Sequence, residues 1–129
     1  MELNLKELSN LRRLNLSNTQ ISDLEPLKNL KKMMILEADY TQISDIELLK
    51  HLKNMQVLKL QYTKVSDIEA LRELANLQEL WLWNTSVSDL EPLKNLTKLQ
   101  RLYIGNCYNI TTEQIENLKK TLPELKVYR

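Results

Sequence analysis

Ser-Asp recurs at Ser22-Asp23, Ser44-Asp45, Ser66-Asp67 and Ser88-Asp89, and a threonine stands three residues ahead of each pair, at Thr19, Thr41, Thr63 and Thr85. Both series have a period of 22 residues. A fixed period of this length means one supersecondary unit repeated along the chain. Such a unit cannot bury its apolar side alone, so neighbouring units must stack. The units read LRRLNLSNTQISDLEPLKNLKK, MMILEADYTQISDIELLKHLKN, MQVLKLQYTKVSDIEALRELAN and LQELWLWNTSVSDLEPLKNLTK.

The apolar columns define the unit. Leu14, Leu36, Leu58, Leu80 and Leu102 form one column, and two residues on lie Leu16, Ala38, Leu60, Leu82 and Ile104. Period-two spacing predicts a short strand with one buried face. After the column Ile21, Ile43, Val65 and Val87, apolar residues follow at steps of three. These are Leu24, Ile46, Ile68 and Leu90, then Leu27, Leu49, Leu71 and Leu93, then Leu30, Leu52, Leu74 and Leu96. A three-residue period fits a short 3₁₀ or helical turn. Each serine is followed three residues later by glutamate (Ser22/Glu25, Ser44/Glu47, Ser66/Glu69, Ser88/Glu91), which predicts a capping box at the start of that turn. Pro26 and Pro92 sit where a missing N–H costs little. The threonine column predicts buried hydroxyls bonded to backbone carbonyls of adjacent coils.

The pattern L-x-x-L-x-L-x-x-T-x-[IV]-S-D-[LI]-E-x-L-x-x-L resembles the leucine-rich-repeat family, in the short bacterial form of internalin-like proteins. The resemblance covers nearly the whole chain, and one departure is Thr where the family more often has Asn. It implies an α/β fold: a right-handed leucine-rich-repeat solenoid, a horseshoe arc with about six parallel concave strands and short 3₁₀ or α segments on the convex side. It implies a scaffold for binding, without naming the ligand.

The expected organisation is a single domain over 1–129: a half repeat at 1–10, four 22-residue repeats at 11–98, and a modified terminal repeat at 99–129. In the half repeat, Leu5, Leu8 and Leu11 match Leu27, Leu30 and Met33. The first full strand, around Leu14, is then a bare sheet edge, which Arg12 and Arg13 would blunt by their charge. That edge offers a second reading, self-assembly of copies of the chain. In the terminal repeat, TTEQIENLKK predicts a longer helix with Ile115 and Leu118 on one side. Leu122, Leu125 and Val127 repeat the spacing of Leu99, Leu102 and Ile104 at an offset of 23 and predict a sixth strand.

Between the buried leucines lie the outward, concave positions. The expected columns are Arg13, Ile35, Val57, Glu79, Arg101, Glu124; Asn15, Glu37, Lys59, Trp81, Tyr103, Lys126; and Ser17, Asp39, Gln61, Trp83, Gly105, Tyr128. The chain has 2 Trp, 5 Tyr and no Phe. Trp81, Trp83, Tyr103 and Tyr128 fall in these columns, Tyr40 and Tyr62 at the strand exits, and Tyr108 in the loop of the last unit; none falls in a core column. Aromatics placed for core packing would show the opposite distribution. Trp and Tyr dominate binding hot spots. The candidate partner-binding residues are therefore Trp81, Trp83, Tyr103, Tyr128, Tyr40, Tyr62, Ile35, Val57, Lys59 and Arg101. Met34 is a further candidate for the patch. Carbohydrate stacking on Trp81 and Trp83 is an alternative. So is sheet stabilisation by pairs such as Tyr40 with Tyr62 and Trp81 with Tyr103.

Composition narrows the function classes. Eighteen Lys+Arg against 17 Asp+Glu give a net charge of +1, which does not favour nucleic acid or an anionic membrane. No apolar run is long enough to span a bilayer. A cytoplasmic location follows if the chain is the whole protein, and none is assigned if it is part of a secreted or surface protein. Gly105 is the only glycine, so no Gly-rich phosphate loop exists, and no catalytic constellation can be assembled. No cofactor is expected. His51, without a second His, reads as a surface residue and not a metal ligand. Cys107 stands in the threonine column and reads as a packed thiol. Glu25, Glu47, Glu69 and Glu91 pair at i+3 with Lys28, Lys50, Arg72 and Lys94 as surface ion pairs. Ala38 replaces a core leucine; volume not refilled there would leave a weak spot of about 2 kcal/mol or more.

Overall fold

The strand columns pair as their period requires. In the computed structural model, which describes residues 8–129, β1 (Arg13–Asn15), β2 (Ile35–Glu37), β3 (Val57–Lys59), β4 (Glu79–Trp81), β5 (Arg101–Tyr103) and β6 (Lys126–Tyr128) form one parallel sheet in chain order. Leu14, Leu36, Leu58, Leu80 and Leu102 lie opposite one another across four strand pairs. Each strand leads through a loop to a 3₁₀ turn, at Glu25–Leu27, Glu47–His51, Glu69–Leu71 and Glu91–Leu93. The last coil carries α1 (Thr112–Thr121) instead, and buries Ile115 and Leu118 as expected. The core lies between sheet and turns and consists of the leucine, isoleucine, valine and methionine columns, with Ala38 fully buried among them. No aromatic residue enters it among the described residues.

Four details differ from expectation. The turns are not closed by a serine capping box. Asp23, Asp45, Asp67 and Asp89 accept, through Oδ1, the backbone N–H of Glu25, Glu47, Glu69 and Glu91 at 2.8–2.9 Å. A carboxylate two residues ahead of the turn reaches that N–H directly, leaving the serines exposed.

The threonine hydroxyls donate to carbonyls of their own coil, not of adjacent ones. Thr19, Thr41, Thr63 and Thr85 donate through Oγ1 to the carbonyls of Leu16, Ala38, Leu60 and Leu82 at 2.7–2.9 Å. The crossing is made at Cys107, which donates through Sγ to the Leu82 carbonyl at 3.0 Å and lies 3.4 Å from the Thr85 hydroxyl.

The sixth strand is offset by 25 residues, not 23. Arg101, Leu102 and Tyr103 pair with Lys126, Val127 and Tyr128. Leu125 takes the part of Leu99 in the preceding turn: its N–H donates to Leu122, as that of Leu99 does to Leu96. Tyr128 therefore joins the column of Trp81 and Tyr103, Lys126 joins that of Arg101, and Glu124 lies before the strand.

At the front of the chain, Leu5 lies outside the described residues. Leu11 packs against the core, but Leu8 is 46% exposed where its counterpart Leu30 is buried. Among the described residues no coil covers Leu8. Among the described residues β1 pairs with β2 alone, and Arg13 is engaged by Glu37 at 3.4 Å.

Candidate binding face

The face opposite the core is a set of parallel ladders, because the in-line register places like positions of successive coils side by side. The middle ladder runs Asn15, Glu37, Lys59, Trp81, Tyr103, Tyr128. Its members interact in sequence. Lys59 Nζ lies 3.8 Å from Glu37 and 4.7 Å from the centre of the Trp81 ring. Trp81 stacks on Tyr103 at 3.7 Å and 17°, and Tyr103 on Tyr128 at 4.7 Å and 13°. The result is one continuous column of a cation and three aromatic rings.

This geometry decides what the rings can offer. Lys59 covers one face of Trp81 and Tyr103 the other; Tyr103 lies between two rings. Trp81 and Tyr103 therefore present ring edges to solvent, not flat faces. Face-on carbohydrate stacking on Trp81, an alternative drawn from the sequence, has no open face to use. The Trp81 indole N–H is also engaged, donating to Glu79 Oε1 at 3.2 Å, and Arg101 lies 3.6 Å from Glu79. Ile35 and Val57 are neighbours in the first ladder and half-buried.

Trp83 behaves differently. It is 39% exposed, and its indole lies over Gly105 of the next coil. A Cβ on Gly105 would fall 2.0 Å from Nε1, 2.3 Å from Cε2 and 2.7 Å from Cδ1. These distances place that point out of the ring plane and above its Nε1 edge. Gly105 is buried beneath it.

Tyr40 and Tyr62 occupy the rim, where the chain leaves the strand with left-handed backbone. Asn18, Tyr40, Tyr62, Asn84 and Asn106 all have φ between 53° and 62°. Asparagine adopts this region readily; a bulky residue does so at a cost. The two tyrosines stack on each other at 4.4 Å and 9°. Desolvation, then the proximity of Tyr62, hold the Tyr40 phenol above its ordinary range. Beside them, Asp39 accepts the Gln61 backbone N–H at 2.8 Å.

The predicted residues thus fall into a central stack with its flanking charges and apolar pair, the seated Trp83, and a rim pair. Met34 does not join them: it is half-buried and lines an open groove with Arg12, Lys32, Asn54, Gln56 and Asn76. Glu37, Glu79 and Gly105 belong to the face but were not singled out. The signal for Gly105 was available, since the only glycine stands one period after a concave tryptophan. His51 is exposed on the opposite side. No helix among the described residues is long and apolar enough to cross a membrane.

Two family descriptions match the chain. "Leucine Rich repeats (2 copies)" matches residues 75–120 and "Leucine Rich Repeat" matches residues 10–30, together just over half of it. Among solved structures, an internalin (inlF) from Listeria monocytogenes is 28% identical over 95% of this chain and 35% of its own, with a TM-score of 0.87. Internalin C2 (inlC2) from the same organism is 29% identical over 95% of this chain and 54% of its own, with a TM-score of 0.80. A leucine-rich-repeat protein of Leptospira interrogans, 23% identical with a TM-score of 0.77, shares the fold. No curated protein matches the chain. The chain belongs to the leucine-rich-repeat family, and its repeats are similar to those of the Listeria internalins. It spans about a third to a half of the length of those two internalins. Folds of this family generally mediate protein–protein interaction and are typically non-catalytic.

Proposed function

We propose that this chain is a non-catalytic module that holds a partner protein on the aromatic face of its sheet. The observation that carries this reading is the sorting of its aromatic residues. The core is built without one, while Trp81, Tyr103 and Tyr128 form a column on the opposite face, with Trp83, Tyr40 and Tyr62 beside it. Rigid, amphipathic rings offer contact area at small cost in side-chain entropy, and such residues anchor protein interfaces. Lys59 and Arg101, with Ile35 and Val57, complete a face of aromatic centre and mixed flank. Its charges largely satisfy one another, as Arg13–Glu37–Lys59 and Arg101–Glu79 show. This supports a protein partner over a polyanion.

Stacking also stabilises the sheet, so capture and stability must be read on the same variants. The test compares partner capture by the wild type with that by a Trp81→Ala/Trp83→Ala variant, alongside thermal melting. The expected outcome is loss of capture by a protein that still melts cooperatively. Undiminished capture by the double variant would overturn the reading.

A further inference from the structure

All six strands are parallel, so every strand is entered at one end of the sheet and left at the other. The two ends differ in charge. The loops that leave the strands carry the exposed Asp23, Asp45, Asp67 and Asp89. The segments that lead into β1 to β5 (8–12, 30–34, 52–56, 74–78 and 96–100) contain no Asp or Glu, while Arg12, Lys31, Lys32, Lys53 and Lys98 stand in them. At this end an open groove of about 370 Å³ runs across the entry segments of β1 to β4, lined by Arg12, Lys32, Met34, Asn54, Gln56 and Asn76. Its wall is tied to backbone. The Arg12 carbonyl accepts the Met34 and Ile35 N–H at 2.8 and 2.9 Å, and Asn54 and Asn76 donate through Nδ2 to the Lys31 and Lys53 carbonyls of the coil before. Lys32 Nζ donates to Asn10 at 2.8 Å, and neither it nor Arg12 has a carboxylate partner among the described residues. The groove adjoins the candidate face, because Arg12, Met34 and Gln56 stand one residue ahead of Arg13, Ile35 and Val57 of its first ladder.

We propose that this groove receives an acidic segment, rich in Asp and Glu, of the partner protein held on the adjoining face. The inference rests on the protein-binding reading and adds the chemistry of the partner to it. On the face itself, Arg13, Lys59 and Arg101 already have carboxylates at 3.4–3.8 Å; in the groove, Arg12 and Lys32 do not. A carboxylate laid there gains charge-assisted bonds to a guanidinium and an ammonium and meets no carboxylate in the lining. Two cations among four neutral side chains match a short run of carboxylates. A nucleic acid draws its affinity from many phosphate contacts, which this lining does not offer.

The test titrates the intact chain with hexaaspartate, dye-labelled for fluorescence anisotropy and unlabelled for NMR of isotope-labelled methionine methyl groups. The Met34 signal is assigned by its loss in Met34→Leu. Saturable binding is expected to move the Met34 signal and leave those of the buried Met33 and Met55 in place. Arg12→Glu/Lys32→Glu is expected to weaken binding at least tenfold. Arg12→Gln/Lys32→Gln, which adds no charge at these exposed positions, is expected to weaken it at least threefold with melting unchanged. Lys119→Glu/Lys120→Glu, an equal charge change at exposed positions of α1, is expected to bind within twofold of wild type. Absence of saturable binding overturns the proposal, as does a Met34 signal that stays in place. Equal weakening by the α1 variant overturns it by reducing the attraction to net charge. Tighter binding of an oligothymidylate of equal charge overturns it in favour of nucleic acid. Self-association of the free chain that Arg12→Glu/Lys32→Glu abolishes overturns it in favour of a second copy. Trp81→Ala/Trp83→Ala is expected to bind hexaaspartate as wild type, so that undiminished partner capture by that variant would sink the reading of the face and not the reading of the groove.

Discussion

Tyr40 and Tyr62 stack at 4.4 Å while both hold φ at 55°, in a column that the other coils fill with asparagine. The stack and the backbone cost oppose each other. An aromatic pair contributes about 1 kcal/mol beyond its buried area, and a sparsely populated backbone region costs about the same or more. If stability alone placed these tyrosines, Tyr62→Asn should weaken the fold clearly. The near-cancellation predicts instead that Tyr62→Asn leaves the melting temperature within a few degrees of wild type, while partner capture falls. Denaturant melts and capture on the same preparation check it; a large stability loss with intact capture would show the pair to be structural.

The position of the cap yields a second prediction. The hydrogen bond at the start of each 3₁₀ turn belongs to aspartate, for example Asp67 Oδ1 to the Glu69 N–H at 2.8 Å. Asp67→Ala is expected to destabilise the chain by about 1 kcal/mol, the usual worth of such a cap. Ser66→Ala should be close to neutral. Urea melts of the two single variants distinguish the assignments, and the reverse order would restore the serine box.

These cases show what the sequence made legible. Strand positions, turn positions and the buried columns follow from spacing alone, because a 22-residue coil leaves little choice once period-two and period-three runs are joined. Which of two adjacent polar residues caps a turn does not follow, because Ser and Asp at successive positions both suit the role and only backbone direction separates them. The sixth strand was misplaced by two residues for a related reason. Leu125 and Val127 satisfy the apolar pattern at an offset of 23, but α1 lengthens the coil and places Val127 opposite Leu102. Apolar identity is degenerate where length changes. The aromatic sorting was legible; the direction of each ring was not. Trp81 and Trp83 look equivalent as alternate residues of one strand, and only their neighbours one coil on, Tyr103 and Gly105, make one ring part of a stack and let the edge of the other lie over a glycine.

That difference predicts separable effects of the two tryptophans. Trp81 is half-buried between Lys59 and Tyr103 and donates to Glu79. Trp81→Ala loses a stack and a cation–π contact, each about 1 kcal/mol, and should lower stability measurably. Trp83→Ala removes a more exposed ring and uncovers a glycine, so its stability loss should be the smaller of the two. Thermal melts of the single variants check the order; a greater loss from Trp83→Ala would mean that its seat on Gly105 is a main support of the last coils.

The convex side gives a prediction in pH. Arg72 Nε and Nη2 donate to the two carboxylate oxygens of Glu69 at 2.6 and 2.9 Å, and Nη2 also reaches Glu91 of the next coil. Lys94 lies 2.5 Å from Glu91. Hydrogen bonds from Arg72 first, then Lys94, hold the Glu91 carboxyl down to about 2, and Arg72 holds Glu69 below its ordinary value as well. A carboxyl whose folded value lies below its unfolded one adds stability above the unfolded value, about 4.3, and loses it as pH falls toward the folded value. Stability from this network should therefore be complete at neutral pH and decline between about pH 4.5 and about 2. These side chains are solvent-exposed, so the effect is modest and screened by salt. The melting temperature of wild type is expected to fall more steeply across that window than that of Glu91→Gln, and the gap between them to narrow at about 1 M salt, where the Debye length is about 3 Å. Parallel pH profiles at low ionic strength would show that the Arg72 bridge between coils contributes nothing to holding them together.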